Sequence, residues 1–357
     1  METVGHTKPP SRSVPSPPKP DTGSPHTPAL PTSASASANG IIAILLMTTH
    51  SIPFAPFFRR WLEGHDGSYR FYVGVNGACP AECGEIIMAC QCVRAVSSRL
   101  FLGLVTRGLL EAALQGPATH MILVSDTTLP VKTFRHVHEN LPAGNTSFIC
   151  VTKKMSRNWC PSPRLPRKGP ALKHHQWMVL GRDHALLMAQ RLAKEIDGKG
   201  VWGARPECTV GGDDEYYANT LLTDQQWTRL RPTYTAEGGG ASSETVALLE
   251  QMTGVIHACN TYANFWNHGE ENASEMFLDL CLEPGVGCQK PPRHENAALF
   301  KVMTERLFVE HLIRPPDLWF VRKVQPNATV VMNTGQIIDV QAFLISQLLP
   351  PHSSAQS

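Results

Sequence analysis

The chain has 357 residues, 42% of them hydrophobic and 17% charged, which excludes disorder as a description of the whole and allows one large core or two modest ones. A formal net charge of +2 gives no electrostatic case for nucleic acid, which calls for a strongly basic face, although a nucleotide needs only a local cluster. Ten cysteines, scattered from Cys79 to Cys288, and N-x-[ST] sequons at Asn145, Asn272 and Asn327 fit folding in an oxidising lumen of the secretory pathway.

Residues 1–39 are rich in Pro, Ser and Thr, contain no aromatic residue, and cannot bury enough apolar surface to offset chain entropy. They read as a disordered tail or stem ahead of a catalytic domain at 40–330, with residues 331–357 forming a C-terminal strand or helix and a disordered end. The run Ile41-Ile-Ala-Ile-Leu-Leu-Met47 has strand length and no polar face, as expected of a strand buried on both sides of a mainly parallel sheet. It is too short to cross a bilayer, so membrane association would need an anchor absent from this sequence. Pro56 to Leu62 has helical spacing and Tyr69 to Val73 reads as a second strand. The strand, helix, strand order predicts an α/β fold with a mostly parallel central sheet flanked by helices.

Next come an amphipathic helix over 105–114 and a buried strand over Met121–Val124. That strand is closed by Ser125 and Asp126. Ligands of open α/β sheets gather at the carboxyl ends of strands, so Asp126 is a candidate site residue; a helix cap or turn residue is the plainer reading. Residues 153–174 form a basic, proline-containing loop, 185–196 a helix, and 235–243 and 267–296 loop-like insertions. The spacing predicts a helix over 297–311 and a strand over 318–324. Cys79, Cys83, Cys90 and Cys92 lack the paired C-x₂-C spacing of zinc ribbons, which favours disulfides over zinc without deciding their pairing.

Several segments together carry a resemblance. They are Ile44 to Val73 with its Gly64-His65 pair, Leu123-Val-Ser-Asp-Thr-Thr-Leu-Pro130, and His175-Gln-Trp-Met-Val-Leu-Gly-Arg-Asp-His-Ala-Leu-Leu187. Asp213-Asp214-Glu215-Tyr216-Tyr217 and Leu318-Trp-Phe-Val-Arg-Lys-Val-Gln-Pro-Asn-Ala328 complete the set. In this order they resemble the core-2/I-branching β-1,6-N-acetylglucosaminyltransferases, and especially the plant branch of that family. The stretches 79–94 and 230–316 match only loosely.

The resemblance implies a GT-A-like nucleotide-sugar transferase fold in the Golgi lumen and an inverting transfer from a UDP-sugar to a glycan hydroxyl. The donor it implies is UDP-N-acetylglucosamine. UDP-glucuronic acid is the close alternative, and an inactive, glycan-binding relative is the third. An inverting transfer needs one base to take the acceptor proton while UDP leaves from the opposite face. Glu215 stands where the family places its base; taken alone, it also suits the acidic first turn of a helix.

The strand end Ser125-Asp126-Thr127 offers one carboxylate where an Asp-x-Asp metal pair would offer two, and a single monodentate ligand holds Mg²⁺ or Mn²⁺ poorly. The expectation is therefore a metal-independent enzyme with no metal ligands and no cofactor beyond its donor. Lys323 and Arg322 would offset the diphosphate, with Ser125 and Asp126 on the donor side and Arg293 as a weaker phosphate candidate. Because neighbours on a strand point to opposite faces, Lys323 is expected to face the site and Arg322 to assist. Trp177, Trp266 and Asp214 are the candidate acceptor contacts; Trp rings stack on sugar faces but also fill cores.

Overall fold

The structure, a computed structural model, describes residues 40–75, 77–87, 90–94, 101–142, 144–151, 174–197, 220–233, 242–263, 286–289 and 299–349. All of them fall in the unit spanning residues 37–357. The chain opens with β1 (Ile41–Met47), α1 (Ala55–Leu62), β2 (Tyr69–Val75), a short α2 (Glu82–Glu85) and β3 (Cys90–Arg94). It continues through α3 (Phe101–Gln115), β4 (Ala118–Ser125), β5 (Leu129–Pro130), α4 (Phe134–Glu139), β6 (Ser147–Ile149), β7 (Val179–Gly181) and α5 (Arg182–Asp197). After α6 (Asp224–Leu230) and α7 (Ser243–Thr253) come β8 (Val255–His257), β9 (Thr261–Ala263), β10 (Gly287–Gln289), β11 (Leu299–Thr304) and α8 (Glu305–Phe308). The described chain ends with β12 (Phe320–Arg322), β13 (Val324–Val331), β14 (Ile337–Asp339) and α9 (Val340–Leu348).

The central sheet has seven strands in the order β3-β2-β1-β4-β7-β6-β8. β7 runs antiparallel to both of its neighbours, and the other pairings are parallel. This is the α/β class the sequence predicts. The continuous apolar run of β1 has two partners to satisfy. Ile42, Ile44 and Leu46 join the core that holds Phe57, Phe58 and Trp61 of α1. Ala43, Leu45 and Met47 join the core on the other face with Val105, Leu109 and Leu110 of α3. Gly74 is needed where α3 crosses β2: a Cβ there would lie 2.3 Å from Val105 Cγ1.

The helix expected over 297–311 is a correction. Its first part is β11, held between β10 and β13 in a second, four-stranded sheet, and only from Glu305 does the chain turn helical, with the Thr304 side chain accepting from the Leu307 N–H. Pairing with strands remote in sequence overrode the local spacing. The strand expected over 318–324 is also two strands. β12 belongs to a three-stranded sheet with β5 and β9, whereas β13 belongs to the four-stranded one. At the C-terminal end, Val340, Phe343 and Leu344 of α9 are buried in the core that contains α1.

The cysteine cluster of 79–92 forms two nested disulfides, Cys79–Cys92 and Cys83–Cys90, which excludes those thiols as zinc ligands. A third disulfide, Cys150–Cys259, joins the chain just after β6 to the chain just after β8.

Candidate functional site

From β1 the chain steps outward to β2 and β3, then crosses by way of α3 to β4 on the other side of β1. The strand order therefore reverses between β1 and β4, and the crevice outside the carboxyl ends of strands at such a reversal is where ligands collect. Met47 and Ser125 are register partners there, which places Thr48 beside Asp126. Thr48 Oγ1 lies 3.0 Å from Asp126 Oδ2 and 2.6 Å from the Ser51 carbonyl oxygen. Asp126 caps no helix; its main-chain N–H donates to Met47 O at 3.1 Å, and its carboxyl is turned to the end of β1.

The turn that carries Asp126 is tied by its own hydroxyls. Ser125 Oγ is 2.9 Å from Thr128 Oγ1 and 3.1 Å from Thr127 Oγ1, and the Ser125 N–H donates to Thr128 Oγ1 at 3.1 Å. Ser125 is buried, so its hydroxyl shapes the turn. Beyond it, the C-terminal segment doubles back along residues 127–131. Val324 N–H donates to Thr127 O at 2.9 Å and Val131 N–H to Trp319 O at 2.8 Å, with β12 paired to β5 between them. This return brings Arg322 and Lys323 to the same strand end.

Arg322 sits over the Trp177 ring, its guanidinium carbon 4.0 Å from the ring centroid. Trp177 is only 5% exposed and belongs to the core that includes α3, and in this structure the Arg322 guanidinium sits over its ring. The two cations do not stand on one continuous strand. β12 ends at Arg322 and β13 begins at Val324 in a different sheet, so the alternation of a single strand does not run through Lys323. Both charges act on Asp126, that of Arg322 more strongly. Burial pushes the Asp126 carboxyl above its ordinary pKa. The contact with Thr48, the Arg322 charge, the Thr49 main chain and the Lys323 charge oppose this without overcoming it.

Ser125, Asp126, Trp177, Arg322 and Lys323 thus come together. Glu215, Asp214, Arg293 and Trp266 lie outside the described residues, as does most of the basic stretch 153–174. Thr48 is the residue the sequence reading passed over. The signal for it was the same as for Asp126: it is the first polar residue after a fully buried parallel strand.

No protein-family model and no curated protein matches the chain. Solved structures match it in part. A 4-diphosphocytidyl-2C-methyl-D-erythritol synthase from Anaerococcus prevotii DSM 20548 is 10% identical, with 50% of this chain and 83% of that one covered and a TM-score of 0.28. The galactosyltransferase LgtC in complex with donor and acceptor sugar analogs is 9% identical, with 60% and 84% covered and a TM-score of 0.29. An active-site mutant of LgtC is 10% identical over the same shares, with a TM-score of 0.31. At such scores none of them identifies the activity of this chain.

Proposed function

We propose that the chain is a nucleotide-sugar-dependent glycosyltransferase, inverting and metal-independent, that moves N-acetylglucosamine from UDP-N-acetylglucosamine to a glycan hydroxyl in β-1,6 branching fashion. One observation carries the reading: Asp126 and the cations Arg322 and Lys323 meet at the point where the strand order reverses between β1 and β4. Two positive charges at a partly desolvated strand end suit a diphosphate and stabilise it as a leaving group. Glu215 takes the proton of the acceptor hydroxyl, whose oxygen then attacks the anomeric carbon from the face opposite UDP. The three disulfides among the described residues support a place for this chemistry in the secretory lumen, where thiols are oxidised.

The test is UDP release with UDP-N-acetylglucosamine and with UDP-glucuronic acid, over a panel of glycan acceptors, with and without EDTA. The expected result is turnover with the first donor that survives chelation. Turnover only with UDP-glucuronic acid would change the donor. Activity lost to EDTA and restored by Mn²⁺ would remove the metal-independent mechanism. Absence of both turnover and UDP binding would leave the glycan-binding reading. In the active enzyme, Glu215→Gln keeps the shape of the side chain but cannot accept a proton. It should lower turnover by on the order of 10²-fold or more while UDP binding persists.

A further inference from the structure

Of the three N-x-[ST] sequons, those at Asn145 and Asn327 lie among the described residues, and the fold treats them differently. At Asn145-Thr146-Ser147 the polar side chains are already engaged. Asn145 Nδ2 donates to Oδ2 of Asp183, in the first turn of α5, at 2.8 Å. The Ser147 hydroxyl is fully buried; it accepts from the Gly181 N–H at 2.9 Å and lies 2.7 Å from His184 Nδ1. The backbone is close as well, since a Cβ on Gly181 would stand 2.1 Å from Asn145 O. This sequon is a joint between β6, β7 and α5.

Asn327-Ala328-Thr329 lies in β13 where its pairing is interrupted. Phe300 of β11 pairs with Val324 and Val302 pairs with Thr329, so Lys301 alone faces the stretch from Gln325 to Ala328. On the other side, the pairing with β14 reaches only as far as Thr329. A bulge of this kind leaves its residues outside the ladder. Pro326, which has no N–H to offer a neighbouring strand, and Asn327 are both exposed there. Ala328 is buried in the core that contains α1, which anchors the bulge beneath Asn327. The Asn327 amide takes part in none of the side-chain hydrogen bonds among the described residues.

We propose that Asn327, rather than Asn145, carries an N-linked glycan when the chain passes through the secretory lumen; the proposal rests on the lumenal reading given above. The co-reactant is an oligosaccharide linked to a polyprenyl diphosphate. The bond from its anomeric carbon to the diphosphate oxygen breaks and a bond from that carbon to Asn327 Nδ2 forms. The amide gives up one proton as the polyprenyl diphosphate leaves. Thr329 supplies the hydroxyl that the motif requires at its third position. Whatever the moment of transfer, folding has to leave a bulky hydrophilic group in water. At Asn327 the sugar stands off an exposed bulge and displaces no hydrogen bond. At Asn145 it would crowd Asp183 and the start of α5.

The experiment directs the full chain into the lumen of eukaryotic cells behind a cleavable signal peptide. Its peptides are then mapped by mass spectrometry after a glycosidase that converts a sugar-bearing Asn to Asp in H₂¹⁸O. Asn327 should be found as ¹⁸O-labelled Asp in most molecules and Asn145 as unlabelled Asn. Asn327→Gln should remove that label together with one glycan's step in gel mobility, and Thr329→Ser should keep both. The disulfides Cys79–Cys92, Cys83–Cys90 and Cys150–Cys259, read from the same digest, report that the wild-type chain has folded in the lumen. A disulfide-bonded wild-type chain with Asn327 unlabelled overturns the proposal, as does a label on Asn145 in place of Asn327. The lumenal reading fails separately. If the chain made by its own cells, without the added signal, stays outside protease-protected membranes, the location is overturned, while the lumen-directed chain still decides the site.

Discussion

The two ends of the β1–β4 strand pair are built from similar side chains and put to different uses. At the amino end, polar side chains find main-chain carbonyls. Arg182 donates to Leu114 O at 2.5 Å, Gly116 O at 2.8 Å and Ala118 O at 2.9 Å, closing the turn between α3 and β4. His138 Nε2 meets Gly40 O at 2.9 Å, and the Thr119 hydroxyl donates to Ile41 O at 3.3 Å. At the carboxyl end, Thr48 meets Asp126, the hydroxyls of residues 125–128 meet one another, and Arg322 rests on a ring. Side chains that satisfy the backbone hold a fold together. At the carboxyl end, side chains that meet one another hold a buried polar turn with the Arg322 and Lys323 charges acting on Asp126.

The largest expected effect tests where covalent reinforcement matters. Cys150–Cys259, beyond the carboxyl ends of β6 and β8, closes 109 residues of chain, whereas Cys83–Cys90 closes 7. Chain-entropy reasoning assigns about 5 kcal/mol to the long closure and about 2 kcal/mol to the short one. Replacing Cys150 and Cys259 by Ala should therefore cost roughly twice what replacing Cys83 and Cys90 costs in urea unfolding. Equal losses would mean that the nested pair does more than close a short loop.

Next in size is the contrast between the two arginines. Arg182→Ala strips charge-assisted bonds from several carbonyls at a helix end and should cost about 3 kcal/mol of stability without touching UDP affinity. Arg322→Ala should do the reverse, weakening UDP binding by about tenfold or more with little change in the unfolding midpoint. Trp177→Phe, with a weaker ring under the guanidinium, should weaken UDP binding a few-fold. If the loss appeared instead in the KM for the glycan acceptor, Trp177 would have the sugar-contacting role that its sequence position suggested.

What could be read without coordinates follows from how local each signal is. β1, β2, β4, α1, α3 and α5 announce themselves because an uninterrupted apolar run or an amphipathic period is decided within a few residues. Residues 299–304 do not, because their strand state depends on β10 and β13; the helix signal nearby was real but began at Thr304, whose side chain caps it. The helix over 243–253 went unassigned although Ser242 accepts from the Thr245 N–H and Gly254 ends it in the left-handed region with φ of 72°. Asp126 was legible as a strand-end carboxyl. Its partner Thr48 lies 78 positions away and becomes a neighbour only through the β1–β4 register. The pairing of Cys79 with Cys92 and of Cys83 with Cys90 was one of three connectivities that four cysteines permit. Arg322 on Trp177 joins residues from opposite halves of the chain, which no local pattern encodes.

The smallest effect, and the one that separates the two ends by sign, is the dependence of stability on pH. At the amino end, burial holds His120 below the ordinary histidine pKa, the neighbouring charge of His138 adds to this, and the Pro142 carbonyl opposes it. His65 is lowered by burial first, then by Arg135 and His138, with Asp66 opposing. For such groups the unfolded chain binds the proton more readily than the folded one. Their contribution is complete above about pH 6.5 and is lost as pH falls toward the folded values. Asp126 has the opposite sign. Its folded pKa is raised, so the folded chain binds the extra proton, and its contribution is present below about pH 4 and lost as pH rises through the folded value. Urea midpoints measured between pH 7 and pH 4 should therefore fall on acidification in the wild-type chain. The fall should become shallower in His120→Gln and steeper in Asp126→Asn, which no longer takes up the compensating proton. If His120→Gln left the slope unchanged, the acid sensitivity would have to come from groups away from the amino end of the sheet. A slope unaltered by Asp126→Asn would mean that the Asp126 carboxyl titrates alike in the folded and unfolded chain, which its burial at the carboxyl end of β4 argues against.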